Sequence, residues 1–130
     1  MSNKYSPEEV KPDCRCNARL AKLRIAIEKL MGLFKSAGAL ELDLPYLLDP
    51  DVLVDLYGED IRNRAYTTTD SFGVKKILRP DFTVPTVQMH IASNRREAKY
   101  SYSGPVWRSQ PHGSKNPSEY HQVGFEYFHQ

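Results

Sequence analysis

Cysteine is scarce in this chain of 130 residues, which contains only two cysteines, one tryptophan and three methionines. Both cysteines, Cys14 and Cys16, lie in a polar stretch near the amino terminus. The four histidines are scattered and provide no imidazole pair at the spacing that zinc sites use. The sequence therefore predicts reduced cysteines without a structural role, no metal site and no cofactor.

An excess of charge of one sign and long apolar runs are also missing. The chain carries 18 basic and 16 acidic residues, a net charge of +2, and no basic stripe of the kind that follows a phosphate backbone, so a nucleic-acid partner is not expected. No apolar run is long enough to span a membrane, and the polar residues 1–17, broken by Pro7 and Pro12, do not form a signal peptide. We expect a cytoplasmic protein without a membrane partner.

The length and the apolar content of 40% suit one modest domain with a core of its own. We expect residues 1–16 to form a polar leader and residues 17–130 to form a partial domain. The chain stops at Gln130, two residues after a strongly apolar run, which leaves no further chain to cover the sheet edge. This ending predicts the amino-terminal part of a longer protein.

Apolar residues recur every three or four positions in residues 17–37, which predicts an amphipathic helix that ends at Gly38. The apolar stripe consists of Leu20, Leu23, Ile27, Leu30, Met31 and Phe34. Alternating leucines in residues 40–44 then predict a half-buried strand. From the pattern alone, the stripe of the helix is most simply a face that packs on the core.

The middle of the chain contains clear start and stop signals. Asp49 and Pro50 predict the cap and first turn of a short helix that ends at Gly58. The β-branched runs 67–70 and 74–78 predict a β-hairpin.

A further helix is predicted to begin at Thr83, which has the side chain of an N-cap residue, with Pro85 in the first turn. Free backbone N–H groups at such a turn attract anions, and Asp81 just before it can accept an ammonium group. Asp81 is also typical of an acidic residue that only complements the helix dipole. Both interpretations remain open from the residues alone.

The two β-rich runs 100–108 and 120–128 flank a polar loop and predict an antiparallel hairpin with a long connection. In the second run, Gln122 and Glu126 share one face of the strand because side chains alternate between faces. Gly124 lies between them and has no side chain, which predicts a shallow floor with polar walls.

Arg108 enters the loop from the same ladder and reaches this face unless Gly104 and Pro105 form a bulge. A guanidinium group, the amide of Gln122 and the carboxylate of Glu126 would suit a small zwitterion. The same three residues are also consistent with a solvated strand face that carries an ion pair at its rim.

Two stretches resemble motifs of a known family. Val106, Trp107 and Arg108, with the run 119–126, resemble the second motif of class II aminoacyl-tRNA synthetases in its histidyl form. The segment 78–85 is similar to the one that closes over the amino acid. Because Asp and Phe separate its proline from its threonine, it is more similar to the synthetase paralogue that serves as regulatory subunit of ATP phosphoribosyltransferase.

The resemblance extends from about residue 20 to residue 128. It implies an α+β fold with a class II synthetase-like antiparallel sheet flanked by helices, incomplete at the carboxyl terminus. It also implies a self-dimer through the first-motif helix and strand. The histidine contacts that it implies are Asp81, Thr83, Gln122 and Glu126, with Arg108 at the carboxylate or at an α-phosphate.

Two departures from the synthetase pattern bear on catalysis. Ser109 and Gln110 follow the motif arginine where synthetases have a glutamate that holds adenine, and Asp81 replaces a longer glutamate. Both departures weaken the case for an adenylate, which requires ATP and amino acid to be held in line. No phosphate loop for phosphoribosyl pyrophosphate is visible either.

The resemblance therefore implies a regulatory subunit without catalytic residues that acts at the first step of histidine biosynthesis. Its partner would be a short-form ATP phosphoribosyltransferase catalytic subunit, and its effector would be histidine, for feedback control. A fragment of a histidyl-tRNA synthetase, which joins histidine to tRNA through an adenylate, is the alternative. An inert fragment without a competent pocket is a third interpretation.

Overall fold

The computed structural model describes residues 17–58 and 60–129. The predicted leader with Cys14 and Cys16 and the terminal residue Gln130 lie outside the described residues. The elements within that part of the chain are, in order, α1 (Asn17–Ser36), β1 (Leu40–Glu41), β2 (Leu47–Leu48), α2 (Pro50–Tyr57), α3 (Asp60–Arg64), β3 (Thr67–Thr69), β4 (Lys75–Leu78), α4 (Thr83–Ser93), β5 (Ala98–Trp107) and β6 (Glu119–Phe128).

The strands form a sheet of order β1-β5-β6 and a second sheet of order β2-β4-β3. β5 and β6 pair without interruption from Ala98 opposite Phe128 to Trp107 opposite Glu119, so residues 104 and 105 do not form a bulge. All pairs are antiparallel except β1 with β5, which is parallel. The predicted α+β class is confirmed, and the sheet is mixed where an antiparallel one was expected.

Helix α1 occupies the predicted position and ends one residue early, before Gly38 with its φ of 86°. It packs on β5 and β6, where the rings of Phe34 and Phe125 lie 5.4 Å apart. Part of its apolar surface stays open, since Ile25 is 65% and Leu33 is 59% exposed. Among the described residues, no helix has the length and apolarity that a membrane crossing requires.

The strand predicted over residues 40–44 is shorter than expected. Only Leu40 and Glu41 pair with β5, and the N–H of Leu42 adds one more hydrogen bond to the Ser101 carbonyl, 2.9 Å long. The chain then leaves the ladder because Leu44 turns into the core, where it is 6% exposed.

The predicted helix from Asp49 to Gly58 is confirmed as α2. The Asp49 carboxylate accepts a hydrogen bond from the N–H of Asp51, and Gly58 has a φ of 74°. The predicted second hairpin is confirmed as β3 and β4. Strand β2 was not predicted, because its two residues are too few to show any alternation.

Two clusters of buried apolar residues form the core. Leu44, Phe82, Tyr102 and Val106 make up the first, and Leu48, Leu53, Ile77 and Val84 make up the second. The start of α4 belongs to both clusters, since Phe82 packs in the first and Val84 in the second. This double anchoring places the segment 79–86 firmly against the even-numbered face of β5 and β6.

Candidate functional site

An acidic residue, Asp81, lies just before the start of α4, in the segment that packs on the sheet. Asp81 is buried, 9% exposed. Its Oδ1 accepts a hydrogen bond of 3.1 Å from the N–H of Thr83, and its Oδ2 accepts one of 2.7 Å from the hydroxyl of Tyr57. Protein donors therefore already bind both oxygens of this carboxylate.

The prediction that Thr83 caps α4 is wrong. Phe82 occupies the cap position and makes no side-chain capping bond, and Thr83 is the first helical residue. Asp81 takes over part of the capping role because its carboxylate accepts the first free N–H of the helix. The hydroxyl of Thr83 is consequently available to the sheet.

Tyr57 was not recognised in the sequence as part of the site. Burial raises the pKa of its hydroxyl above the ordinary value, and the hydrogen bond to Asp81 and the charge of that carboxylate raise it further. The hydroxyl therefore stays protonated and remains a donor. No local sequence pattern indicates this contact, because 24 positions separate Tyr57 from Asp81.

Arg108 lies directly after β5 and reaches the same place. Its Nε donates a hydrogen bond of 2.8 Å to the Pro80 carbonyl, and its Nη2 lies 3.9 Å from Oδ2 of Asp81. The guanidinium carbon is 5.7 Å from the centre of the Tyr120 ring. At 36% side-chain exposure, Arg108 keeps donors that can face a ligand.

Two clefts meet at Arg108. A cleft of about 200 Å³ is lined by Tyr57, Ile61, Arg64, Pro80, Asp81 and Arg108. A second cleft of about 340 Å³ is lined by Arg64, Arg108, Gln110, Asn116, Pro117 and Tyr120. Since Arg64 and Arg108 line both clefts, each cleft has the positive charge that a carboxylate or phosphate group needs.

Glu126 is on β6, and its side chain contacts the start of α4. Its Oε1 accepts hydrogen bonds from the hydroxyls of Thr83, at 3.1 Å, and Tyr102, at 3.3 Å. Burial raises the pKa of Tyr102 to about 12, with the charge of Glu126 and their hydrogen bond as further causes. Tyr102 is therefore a donor throughout the physiological pH range.

Gln122 lies on the same face of β6, opposite Gly104. Its Oε1 is the one buried side-chain nitrogen or oxygen atom in the described part of the chain that lacks a hydrogen-bond partner. A buried acceptor without a donor is costly, so this oxygen is chemically suited to a ligand N–H. The face is consequently not the fully solvated one that formed the alternative interpretation.

The shallow floor predicted at Gly124 is wrong. The ring of Tyr102, the residue opposite Gly124 in the ladder, lies directly over it, and a Cβ on Gly124 would overlap the ring atoms. The missing side chain therefore makes room for a tyrosine from the neighbouring strand rather than for a ligand.

Arg79 was not recognised as important, although it is 2% exposed. Its Nη1 donates to the carbonyl of Leu44 at 2.7 Å, and its Nε donates to the carbonyl of Pro105 at 2.9 Å. Burial lowers the pKa of this guanidinium from its ordinary value. The group ties the chain before β2 and the last residues of β5 to the start of α4.

The same guanidinium takes part in a stack with three aromatic rings. Its carbon lies 4.2 Å from the ring centre of Tyr46 and 4.0 Å from that of Phe82. Phe82 is stacked in turn on Tyr102, with 4.5 Å between centres and an interplanar angle of 8°. We call Tyr46, Arg79, Phe82 and Tyr102 the aromatic–guanidinium stack.

Four of the predicted site residues therefore lie in one chain of contacts: Arg108, Asp81, Thr83 and Glu126. Gln122 shares their face without a hydrogen bond to them. Among the residues described, no three His, Cys, Asp or Glu side chains cluster as metal ligands would. The role of the five predicted site residues in ligand binding stays a prediction.

Residues 15–130 match the family described as Histidyl-tRNA synthetase. The chain belongs to this family. The match agrees with the resemblance inferred from the motifs around Arg108 and Asp81, and the predicted class II synthetase-like fold is confirmed by likeness to solved structures.

Curated relatives carry the name ATP phosphoribosyltransferase regulatory subunit. The one from Rhizobium meliloti (strain 1021) is 34% identical over 98 residues, which cover 75% of this chain and 25% of the relative. The one from Brucella ovis is 36% identical over 85 residues, 65% of this chain and 22% of the relative. The chain thus spans about a quarter of the length of the relatives that it matches.

The crystal structure of an ATP phosphoribosyltransferase regulatory subunit/histidyl-tRNA synthetase from Bacillus halodurans has a TM-score of 0.69 at 19% identity, over 86% of this chain and 29% of the other. A pyrrolysyl-tRNA synthetase from Desulfitobacterium hafniense has a TM-score of 0.60 at 17% identity, over 82% and 37%. At these identities the likeness shows the fold alone.

Proposed function

We propose that this chain forms the histidine-binding part of a non-catalytic regulatory subunit of ATP phosphoribosyltransferase. It would act in the cytoplasm at the first step of histidine biosynthesis. The observation that carries the proposal is the convergence of Arg108, Asp81, Thr83 and Glu126 at the start of α4. The names of the curated relatives support the same assignment.

Histidine fits the chemistry of this convergence. Its carboxylate would bind the guanidinium of Arg108, which has donors left after its bond to Pro80. Its nitrogen donors would bind the carboxylate of Glu126 and the unpaired Oε1 of Gln122. The site thus supplies a positive group at one end and acceptors at the other, the arrangement that a zwitterion with an imidazole ring requires.

Regulation requires that histidine binds two states of a complex with different affinity, because equal affinity would shift no equilibrium. The partner would be a short-form ATP phosphoribosyltransferase catalytic subunit. A self-dimer through α1 and β1 is part of the same proposal. It is supported by the open apolar surface there, where Leu33 is 59% and Leu40 is 47% exposed.

Isothermal titration of the purified protein with histidine, alone and with the catalytic subunit, tests this function. We expect saturable binding, and we expect Arg108→Gln to weaken it by about tenfold or more because a charge-assisted bond to the carboxylate is lost. Arg95→Gln, a change at an exposed arginine outside the site, is the matched control and should leave binding within about twofold. Absence of heat from the wild type in both titrations would overturn the proposal.

A histidyl-tRNA synthetase activity is the second candidate. The cleft of about 340 Å³ favours it, because its two arginines, Arg64 and Arg108, suit a nucleotide phosphate. Gln110 counts against it. Its amide contacts the Pro117 carbonyl at 3.4 Å and the Ser114 hydroxyl at 3.5 Å, and it carries no charge for an adenine amino group. Histidine-dependent exchange between pyrophosphate and ATP distinguishes the candidates, since only a synthetase gives a sustained rate.

A further inference from the structure

Glu126 is held in an unsymmetrical way. The hydroxyls of Thr83 and Tyr102 both donate to Oε1, so these two bonds leave the lone pairs of Oε2 unused. One donor comes from the start of α4 and the other from β5. Donors from two elements that meet at one oxygen restrict the orientations open to the carboxylate, and Oε2 is left as the acceptor for a ligand.

Tyr102 is itself fixed by packing on both sides. It is 4% exposed, one ring face is stacked on Phe82, and the ring lies across Gly124. Arg79 backs the stack through its contact with Phe82 and its bonds to backbone carbonyls. The direction of the Tyr102 hydroxyl is therefore set by the core rather than by Glu126.

We propose that Tyr102 is the positioning residue of the ligand site: it holds Glu126 so that Oε2 is preorganised to accept a hydrogen bond from a nitrogen donor of the ligand. The proposal rests on the proposed function, because the ligand is histidine. It extends that function by assigning recognition to a residue that need not touch the ligand.

The physical gain is conformational. A free glutamate side chain loses rotamer entropy when a ligand immobilises it. Here Thr83 and Tyr102 hold the side chain before any ligand arrives. Preorganisation of this kind increases affinity without a new contact to the ligand.

Tyr102→Phe tests the proposal, because it keeps the ring in the stack and over Gly124 and removes only the hydroxyl. We expect histidine to bind about tenfold more weakly in calorimetric titration of the purified protein, with the catalytic subunit present. Tyr100→Phe is the matched control. Tyr100 lies on the same face of β5 and is also buried, but its hydroxyl contacts Nδ1 of His90, 3.1 Å away, so its loss should change the affinity by less than about twofold.

A double-mutant cycle separates positioning from a general structural effect. If Tyr102 acts through Glu126, the change Tyr102→Phe should cost about tenfold in the wild type and less than about twofold in a Glu126→Gln background. A merely structural role of the hydroxyl would give the same loss in both backgrounds. Thermal unfolding of each variant shows whether the fold is intact.

The outcomes distinguish the positioning role of Tyr102 from the proposed function on which it rests. Wild-type protein that binds no histidine, alone or with its partner, overturns both. Wild-type binding with an unchanged affinity in Tyr102→Phe overturns the positioning role and leaves histidine sensing standing. Equal losses in both backgrounds, or a Tyr102→Phe protein that no longer unfolds cooperatively, assign the hydroxyl to stability and overturn the positioning role as well.

Discussion

The two faces of the β5–β6 hairpin are closed to different degrees. On the even-numbered face, the segment 79–86 covers Tyr102 and Val106, which are 4% and 0% exposed. On the odd-numbered face, α1 contacts the sheet through Phe34 and Phe125, while Leu33 on the same helix stays 59% exposed. The closed face carries ordered polar groups that suit ligand binding, and the open face retains apolar surface that suits another chain.

The largest expected difference between the faces concerns their phenylalanines. Phe82→Ala should lower the free energy of unfolding by about 3–5 kcal/mol, because Phe82 is 1% exposed and stacks with Arg79 and Tyr102. Phe125→Ala should lower it by about half as much, since Phe125 is only half-buried. Urea unfolding monitored by circular dichroism measures both values. Equal losses would show that α1 closes its face as well as α4 does.

Glycines of the two regions should respond in opposite directions to the same substitution. Gly124→Ala should destabilise the protein by about 1–3 kcal/mol, because the new Cβ would overlap the Tyr102 ring. Gly32→Ala in α1 should stabilise it by about 0.5–1 kcal/mol, since the added Cβ meets nothing within 4 Å and alanine favours a helix. The same unfolding assay measures both, and a stabilising Gly124→Ala would contradict the observed packing.

Substitutions on the open face should weaken the proposed self-dimer more than they lower the free energy of unfolding. Leu33→Ser should change the free energy of unfolding of the monomer by no more than about 0.5 kcal/mol, yet it should weaken the proposed self-dimer. Ile91→Ser on α4, where the side chain is 71% exposed, is the matched control and should leave the assembly unchanged. Sedimentation velocity over a concentration series measures the effect. A dimer that both changes weaken equally would exclude α1 as its specific interface.

The smallest expected effect concerns pH. Partial desolvation of the ring and, secondarily, the positive charge of Arg79 lower the pKa of His121 below its ordinary 6.5, although the residue as a whole is exposed. As pH falls below about 6.5, the unfolded chain binds a proton that the folded chain does not, so stability decreases on the acid side. The wild type should therefore lose more stability between pH 7 and pH 5 than His121→Gln does. Thermal unfolding at a series of pH values measures this difference, and parallel curves would refute it.

Local sequence signals predicted the elements that depend on local chemistry. Helix α1 follows from its apolar period and Gly38, and α2 follows from the cap at Asp49 and the break at Gly58. The long hairpin follows from β-rich runs around a polar loop. Each of these signals acts within a few residues, so the neighbouring sequence contains all the information required.

The errors at Thr83 and Gly124 arise where distant parts of the chain meet. Thr83 has a capping side chain, but the sheet places Glu126 within its reach, and Asp81 accepts the helix N–H in its place. Gly124 was interpreted as a hollow because the register that puts Tyr102 opposite it is fixed only when β5 and β6 pair. Local sequence patterns cannot specify contacts between residues that lie far apart in the chain.

By itself, the sequence determined the order of the longer helices and strands, the shared face of Gln122 and Glu126, and the family motifs around Arg108. Periodicity, turn chemistry and motif spacing are local properties. Only the tertiary structure decided that Tyr102 fills the space over Gly124, that Arg79 is buried among aromatic rings, and that Tyr57 binds Asp81. These contacts join segments 22 to 33 positions apart, and they form only when the shared core aligns the two sheets with α4.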